Sequence, residues 1–154
     1  FKILKSHGDK KDIKLVILGE GPERQNIIDL IKSLNLMDEV FLLGHKSNPF
    51  PLIKNASIFV LSSDNEGFGL VLVEALALKK QIVSTDCPSG PKEILKDGKF
   101  GKLVPINNAA KLSEGLLAML NGEIIFEERS LFKRAQCFSV ENCFREFSNL
   151  LNEA

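Results

Sequence analysis

The sequence carries no net charge: 20 lysines and arginines offset 20 aspartates and glutamates. A nucleic-acid partner would need a basic excess or a basic stripe, so this balance argues against one. It leaves room for a small anion, which a helix N-terminus can hold without net charge. Cysteine is scarce. Cys87, Cys137 and Cys143 are odd in number and form no C-x-x-C, so neither a disulfide framework nor a zinc site is indicated. They read as reduced thiols in a cytosolic protein. The two histidines, His7 and His45, stand far apart and suggest no metal site. Long apolar runs are missing as well: Leu70 to Leu78 is the strongest candidate, and it is short and interrupted by Glu74. There is no signal-peptide pattern, no internal repeat, no low-complexity tract and no Pro/Gly linker.

What is present is an ordinary globular composition, 44% hydrophobic and 26% charged in 154 residues, enough for one domain with one sizeable core. Short apolar runs alternate with amphipathic stretches. Lys14 to Leu18, Val40 to Leu43, Ile58 to Leu61, Gln81 to Ser84 and the weaker Gly101 to Val104 have strand length and are rich in branched residues. Between them, Glu23 to Leu34 places apolar residues at helical spacing, with Pro22 expected as the first helical residue after Gly21. Pro49 to Lys54 and Pro91 to Leu95 read as short helices entered through a proline. Leu70 to Leu78, apolar on nearly every side, reads as a buried helix. The C-terminal part reads as helix only: Ala109 to Leu120, roughly Ile125 to Ala135, and Val140 to Leu151. In the last, Val140, Phe144, Phe147 and Leu151 share a stripe and Ser139 offers an N-cap. Alternating strands and helices predict a parallel sheet covered on both faces, an α/β Rossmann-like fold forming one domain with extra C-terminal helices. Ligands of such sheets bind at the carboxyl ends of the strands, which singles out the loops 19–22, 44–48, 62–69 and 86–91.

The loop after the third strand reads Ser62-Ser63-Asp64-Asn65-Glu66-Gly67-Phe68-Gly69 and runs into a helix. Two glycines there let the backbone approach a ligand, and the free amides of the first turn, at Leu70 and Val71, suit a phosphate. A plain strand-to-helix turn would use the same glycines. Glu74 is the second signal. It stands within an apolar helix, where an unpaired carboxylate is costly and needs a compensating partner. It lies one turn from Leu70, so its side chain leans toward the helix mouth. A carboxylate in that place suits the hydroxyls of a ribose; pairing with a nearby cation, or simple exposure to water, are the alternatives. Glu66 would face the other end of the same elongated ligand. Gly19-Glu20-Gly21-Pro22-Glu23-Arg24 is half of a dinucleotide fingerprint, lacking its third glycine, and serves better as a close-packed helix start than as evidence for NAD.

Taken together, Glu66-Gly67-Phe68-Gly69-Leu70 with Glu74 resembles the Glu-x7-Glu motif of the family-4 retaining glycosyltransferases of GT-B fold. Gly19-Glu20-Gly21-Pro22, Phe41-Leu42-Leu43-Gly44 and Thr85 to Ile94 occur in that family's order, and the resemblance covers nearly the whole chain. The stretch Asp86-Cys87-Pro88-Ser89-Gly90-Pro91 resembles a subgroup that adds hexoses or N-acetylhexosamines such as N-acetylgalactosamine to lipid-linked glycans in bacterial surface-polysaccharide (O-antigen or capsule) synthesis. The resemblance implies a C-terminal, donor-binding half of such an enzyme. Glu66 is then the catalytic-site carboxylate on the donor sugar. Gly67, Phe68 and Gly69 border the sugar, the Leu70 and Val71 amides hold the phosphates, Glu74 binds the ribose, and Gly19 and Gly21 line the cleft. His45 and Lys46 lie at the base edge. It implies a UDP-sugar donor, no cofactor and no metal on the diphosphate, in keeping with the lack of a D-x-D triplet. It also implies a lipid-linked acceptor and any membrane contact held by an N-terminal domain, with the enzyme in the cytoplasm or peripheral on the inner face of the cytoplasmic membrane.

The chain starts with Phe1-Lys2-Ile3-Leu4-Lys5, apolar at helical spacing, which reads as the tail of a helix begun upstream and hence as a fragment. The family's Gly-Arg-x strand end and its lysine would precede that point. Alone, the fragment is therefore expected to bind a UDP-sugar weakly and to transfer nothing. Two alternatives stay open from sequence: a GT-B relative such as a sugar-nucleotide epimerase or a glucan synthase, and a nucleotide-binding module without chemistry.

Overall fold

The computed structural model describes residues 1–7 and 12–153, apart from the side chain of Glu153. The chain folds as two compact units, Phe1–Pro51 and Leu52–Ala154.

In the first unit, α1 (Lys2–Lys5) is followed by β1 (Leu15–Ile17), α2 (Arg24–Ser33) and β2 (Val40–Leu42). The two strands pair in parallel, Leu15 opposite Val40 and Ile17 opposite Leu42. Period-two alternation sends Leu15 and Ile17 to the core and leaves Val16 and Phe41 exposed. Ile31, Leu36 and Val40 form the buried centre, with Ile27 and Leu34 packed against it. The apolar stripe read along α2 is wider than the face it buries, since Leu30 is 56% exposed. Pro22 is not helical, contrary to the reading above. The helix begins at Arg24 with Glu23 as its cap, and the Arg24 amide bonds to the Gly21 carbonyl, so Pro22 belongs to the turn.

A short helix, α3 (Phe50–Asn55), spans the division between the units. The second unit continues with β3 (Ile58–Leu61), α4 (Leu70–Ala77), β4 (Gln81–Thr85), α5 (Pro91–Ile94) and β5 (Lys102–Val104). It ends with α6 (Ala109–Leu120), α7 (Glu128–Gln136) and α8 (Val140–Glu153). Its three strands run parallel in the order β3-β4-β5. Both faces are covered, and β4 shows why. Ile82 packs with Leu72, Ala75, Leu76, Ile94 and Leu131 on one side, while its neighbour Val83 packs with Val104 and Met119 on the other. The parallel α/β architecture matches the sequence reading, but the strands form one sheet of two and one of three.

Two helices depart from expectation. α4 is not buried all round: Leu72, Ala75 and Leu76 are inaccessible, but Leu70 is 66% exposed and Val71 is exposed too. α8 is capped as expected, the Asn142 amide donating to Ser139 Oγ at 3.3 Å, yet its apolar stripe of Val140, Phe144, Phe147 and Leu151 is exposed.

Candidate functional site

The site begins where β3 ends. The chain must leave the sheet and turn into α4 within the residues 62–69, and Gly69 makes this possible with φ 88° and ψ 47°, a left-handed conformation that a side chain disfavours. Gly69 is the N-cap and supplies no side-chain acceptor. The Leu72 amide folds back to the Gly69 carbonyl at 2.8 Å, whereas the Leu70 and Val71 amides find no backbone or side-chain acceptor among the described residues. Their first turn is exposed at Leu70 and Val71. Two unpaired donors at the positive end of an eight-residue helix are a chemistry that suits an anion.

The glycine loop rests on a second loop. Gly90, at φ +89°, lies so near Phe68 that an added β-carbon would fall 1.7 Å from the Phe68 carbonyl oxygen. Gly90 is also the N-cap of α5, with Pro91 in the first turn as the sequence indicates. On the far side, the Phe68 ring meets Phe138 edge-on at 5.7 Å, and the Arg134 guanidinium stands 4.6 Å above the Phe138 ring. Arg134 also donates from Nε to the Ile94 carbonyl and from Nη2 to the Glu93 carbonyl, at 2.9 and 2.7 Å, closing the C-terminal end of α5. Arg134 of α7 and Phe138 just beyond it thus brace the glycine loop and α5.

Glu66 is half-buried, and its Oε1 accepts a hydrogen bond from Ser63 Oγ at 2.7 Å. Thr85, buried at the end of β4, donates its hydroxyl to the Ser63 carbonyl at 2.5 Å. Cys87 lies in the loop that follows β4 and is 3% exposed. Burial pushes its thiol above the usual range, and the negative charge of Glu66 nearby pushes in the same direction. Glu74 is half-buried on α4, and its carboxylate has no hydrogen bond or ion pair among the described residues, so no described cation neutralises it there. Its Cα–Cβ bond tilts toward the helix N-terminus, the end at which Leu70 and Val71 present their amides. In the second unit Glu66, Gly67, Phe68 and Gly69 precede α4, and Leu70, Val71 and Glu74 lie on it. Ser63 carried no role in the sequence reading. Its only signal is a hydroxyl three residues before the loop carboxylate Glu66.

The remaining candidates lie in the first unit. Gly19, at φ +126°, donates its amide to the Gly44 carbonyl at 2.9 Å, which ties the 19–22 turn to the end of β2. Glu20 bonds to Arg24 at 3.2 Å and lies against Gly44. Gly21 is exposed, and so are His45 and Lys46. The Gly19–Arg24 turn, with Ile27 and Leu42, borders a recess of about 290 Å³. In the second unit a recess of about 360 Å³ lies at the carboxyl ends of β4 and β5, lined by Asp86 and Leu103 to Ile106; neither Glu66 nor Glu74 lines it. Among the described residues no group of three His, Cys, Asp or Glu side chains could hold a metal ion, and no helix is long and apolar enough to cross a membrane.

Comparison with known proteins places the chain in a family. An N-acetylgalactosaminyltransferase of Campylobacter jejuni, named for transfer to N-acetylgalactosamine-N,N'-diacetylbacillosaminyl-diphospho-undecaprenol, is 42% identical over 114 residues, covering 74% of this chain and 31% of its own. The crystal structure of TarM matches with a TM-score of 0.84 at 25% identity, over 98% of this chain and 30% of that one. A second TarM structure, from S. aureus and solved with UDP, α-GlcNAc-glycerol and fondaparinux, matches with a TM-score of 0.78 over 98% of this chain and 31% of that one. The chain thus spans about a third of the length of these relatives. The model of the family "Glycosyl transferases group 1" matches residues 1–136. With its Rossmann-like fold and GT-B neighbours, this chain belongs to the group 1 glycosyltransferases.

Proposed function

We propose that this chain is the donor-binding part of a retaining glycosyltransferase that moves a hexose or N-acetylhexosamine from a UDP-sugar to a lipid-linked glycan during surface-polysaccharide synthesis in the cytoplasm. The carrying observation is the uncapped first turn of α4, with Glu66 before it and the unpaired Glu74 within it. The Leu70 and Val71 amides hold the diphosphate through charge-assisted hydrogen bonds. Glu74 accepts from the ribose hydroxyls and thereby acquires the partner that its carboxylate lacks among the described residues. Glu66 accepts from the donor sugar and sets the anomeric carbon, while Gly67 to Gly69 let the backbone border the sugar without side-chain clash. The reaction assigns the leaving diphosphate to protein donors, not to a metal. The undecaprenol-linked acceptor in the name of the Campylobacter relative and the UDP in the TarM structure support the acceptor and donor classes. Acceptor binding, and any contact with the membrane, fall to the part of the relatives that this chain does not span.

The test is a calorimetric titration with UDP, UDP-N-acetylgalactosamine, UDP-glucose, GDP and NAD. Binding of the UDP compounds, weakened about ten- to a hundredfold by Glu74→Ala through loss of a charged hydrogen-bond pair, is the expected result. Since the Glu74 carboxylate has no partner among the described residues, the same substitution leaves the melting temperature nearly unchanged. Preference for NAD overturns the reading.

A further inference from the structure

We propose that Ser63 is a positioning residue for donor-sugar recognition, holding the Glu66 carboxylate in one orientation through a hydroxyl that is itself anchored to the sheet by Thr85. This rests on the donor-binding reading above and deepens it.

A glutamate on a loop has three rotatable side-chain bonds and spends most of its time in orientations that no ligand can use. Here Ser63 Oγ donates to Oε1 of Glu66 at 2.7 Å. Among the described residues this is the hydrogen bond that Glu66 makes, so Oε2 is left to accept from a ligand hydroxyl. Ser63 could not hold Glu66 if its own backbone were loose. Thr85 Oγ1 donates to the Ser63 carbonyl at 2.5 Å and lies 3.5 Å from the Leu61 carbonyl, so it pins the strand end and the first residues of the loop together. Thr85 is 5% exposed, and it follows Ser84, whose register partner across β3 and β4 is Leu61. The chain of bonds therefore runs from the core of the sheet to the carboxylate: Thr85 to the Ser63 carbonyl, then Ser63 Oγ to Glu66. A carboxylate held in this way binds a sugar hydroxyl without first losing its freedom, the gain that preorganisation provides.

The experiment uses the full-length protein and isothermal calorimetry with UDP, UDP-N-acetylgalactosamine, UDP-N-acetylglucosamine and UDP-glucose. The quantity read is the affinity of the tightest UDP-sugar relative to UDP, which isolates the sugar contact. Ser63→Ala is expected to reduce that ratio about tenfold, leave UDP binding unchanged, and have no effect on a Glu66→Ala background. Ser63→Thr, which keeps the hydroxyl, is expected to retain most of the ratio. If Ser63→Ala leaves the ratio intact, weakens UDP and UDP-sugar alike, adds its full loss to that of Glu66→Ala, or prevents folding, the positioning role is wrong and Ser63 is only a loop residue. If Glu66→Ala itself does not change the ratio, or no UDP-sugar differs from UDP in the unaltered protein, the donor-site reading fails, and the positioning role with it.

Discussion

Gly90 presses against the backbone of Phe68 so closely that a β-carbon at position 90 would come within 1.7 Å of the Phe68 carbonyl oxygen. The contact sets the height of the glycine loop above the loop that follows β4, and both loops lead into helices whose first turns begin at glycine caps.

Gly90→Ala therefore meets two obstacles, the φ of +89° and a backbone atom that cannot move aside as a side chain would. It should cost about 3 kcal/mol or more and lower the melting temperature by roughly 6–12 °C. Gly98→Ala is the matched control. Its φ is +87°, but the nearest atom to an added β-carbon lies 3.6 Å away, so only the backbone strain of about 1–2 kcal/mol applies. Equal losses in the two variants, measured by thermal melts, would show that the Phe68 contact is not tight.

Arg134 closes the end of α5 with two hydrogen bonds and lies over the Phe138 ring, which in turn touches Phe68. Removing it leaves the Glu93 and Ile94 carbonyls without those donors and takes away the cation above the ring. Arg134→Ala should lower stability by about 2–3 kcal/mol, read as a shift in the urea midpoint at unchanged slope. Arg134→Lys should recover only part, because an ammonium cannot reach both carbonyls with the fixed geometry of a guanidinium.

Cys87 is buried while Cys137 and Cys143 are exposed, and burial raises the Cys87 thiol. Timed alkylation followed by mass spectrometry should label Cys137 and Cys143 first, and Cys87 only as the protein unfolds. The same group gives a pH dependence. Its folded pKa lies above its unfolded value, so the folded state holds the proton more tightly. Its contribution to stability is complete below the ordinary thiol range and falls as pH rises through it. Cys87→Ala should remove this slope between neutral and alkaline pH; an unchanged slope would place its origin elsewhere.

Protein donors are assigned to the diphosphate in the proposed reaction. Transfer by the full-length protein should then persist after exhaustive treatment with EDTA, and added magnesium should not raise it. A metal requirement, recovered on adding back the ion, would contradict that assignment.

Much of the architecture is legible in the sequence because it depends on local pattern. A four-residue apolar run such as Ile58 to Leu61, too short for a typical helix and rich in branched and aromatic residues, reads as a strand, and Ala109 to Leu120 repeats at helical spacing over its observed length. The Glu66 to Glu74 segment is legible for the same reason, since a glycine turn and the first turn of a helix are encoded by neighbouring residues. The reading of Pro22 as a helical residue fails by one step of the turn, for the Gly21 carbonyl captures the Arg24 amide and delays the helix. The burial expected of α4 is too complete because apolar character alone does not say which side has a neighbour. Leu72, Ala75 and Leu76 meet β4 and α7, while Leu70 meets solvent.

The sequence by itself determined the order of elements, the parallel α/β class and the placing of two carboxylates around a helix start, all matters of spacing along the chain. The tertiary structure alone decided that Glu74 has no counter-ion among the described residues and that Gly90 touches Phe68. It alone showed that Thr85 reaches Ser63 across 22 residues to hold the loop bearing Glu66. Those relations depend on which distant segments fold against one another, and a hydroxyl or a glycine carries the same local preferences whether or not such a neighbour arrives.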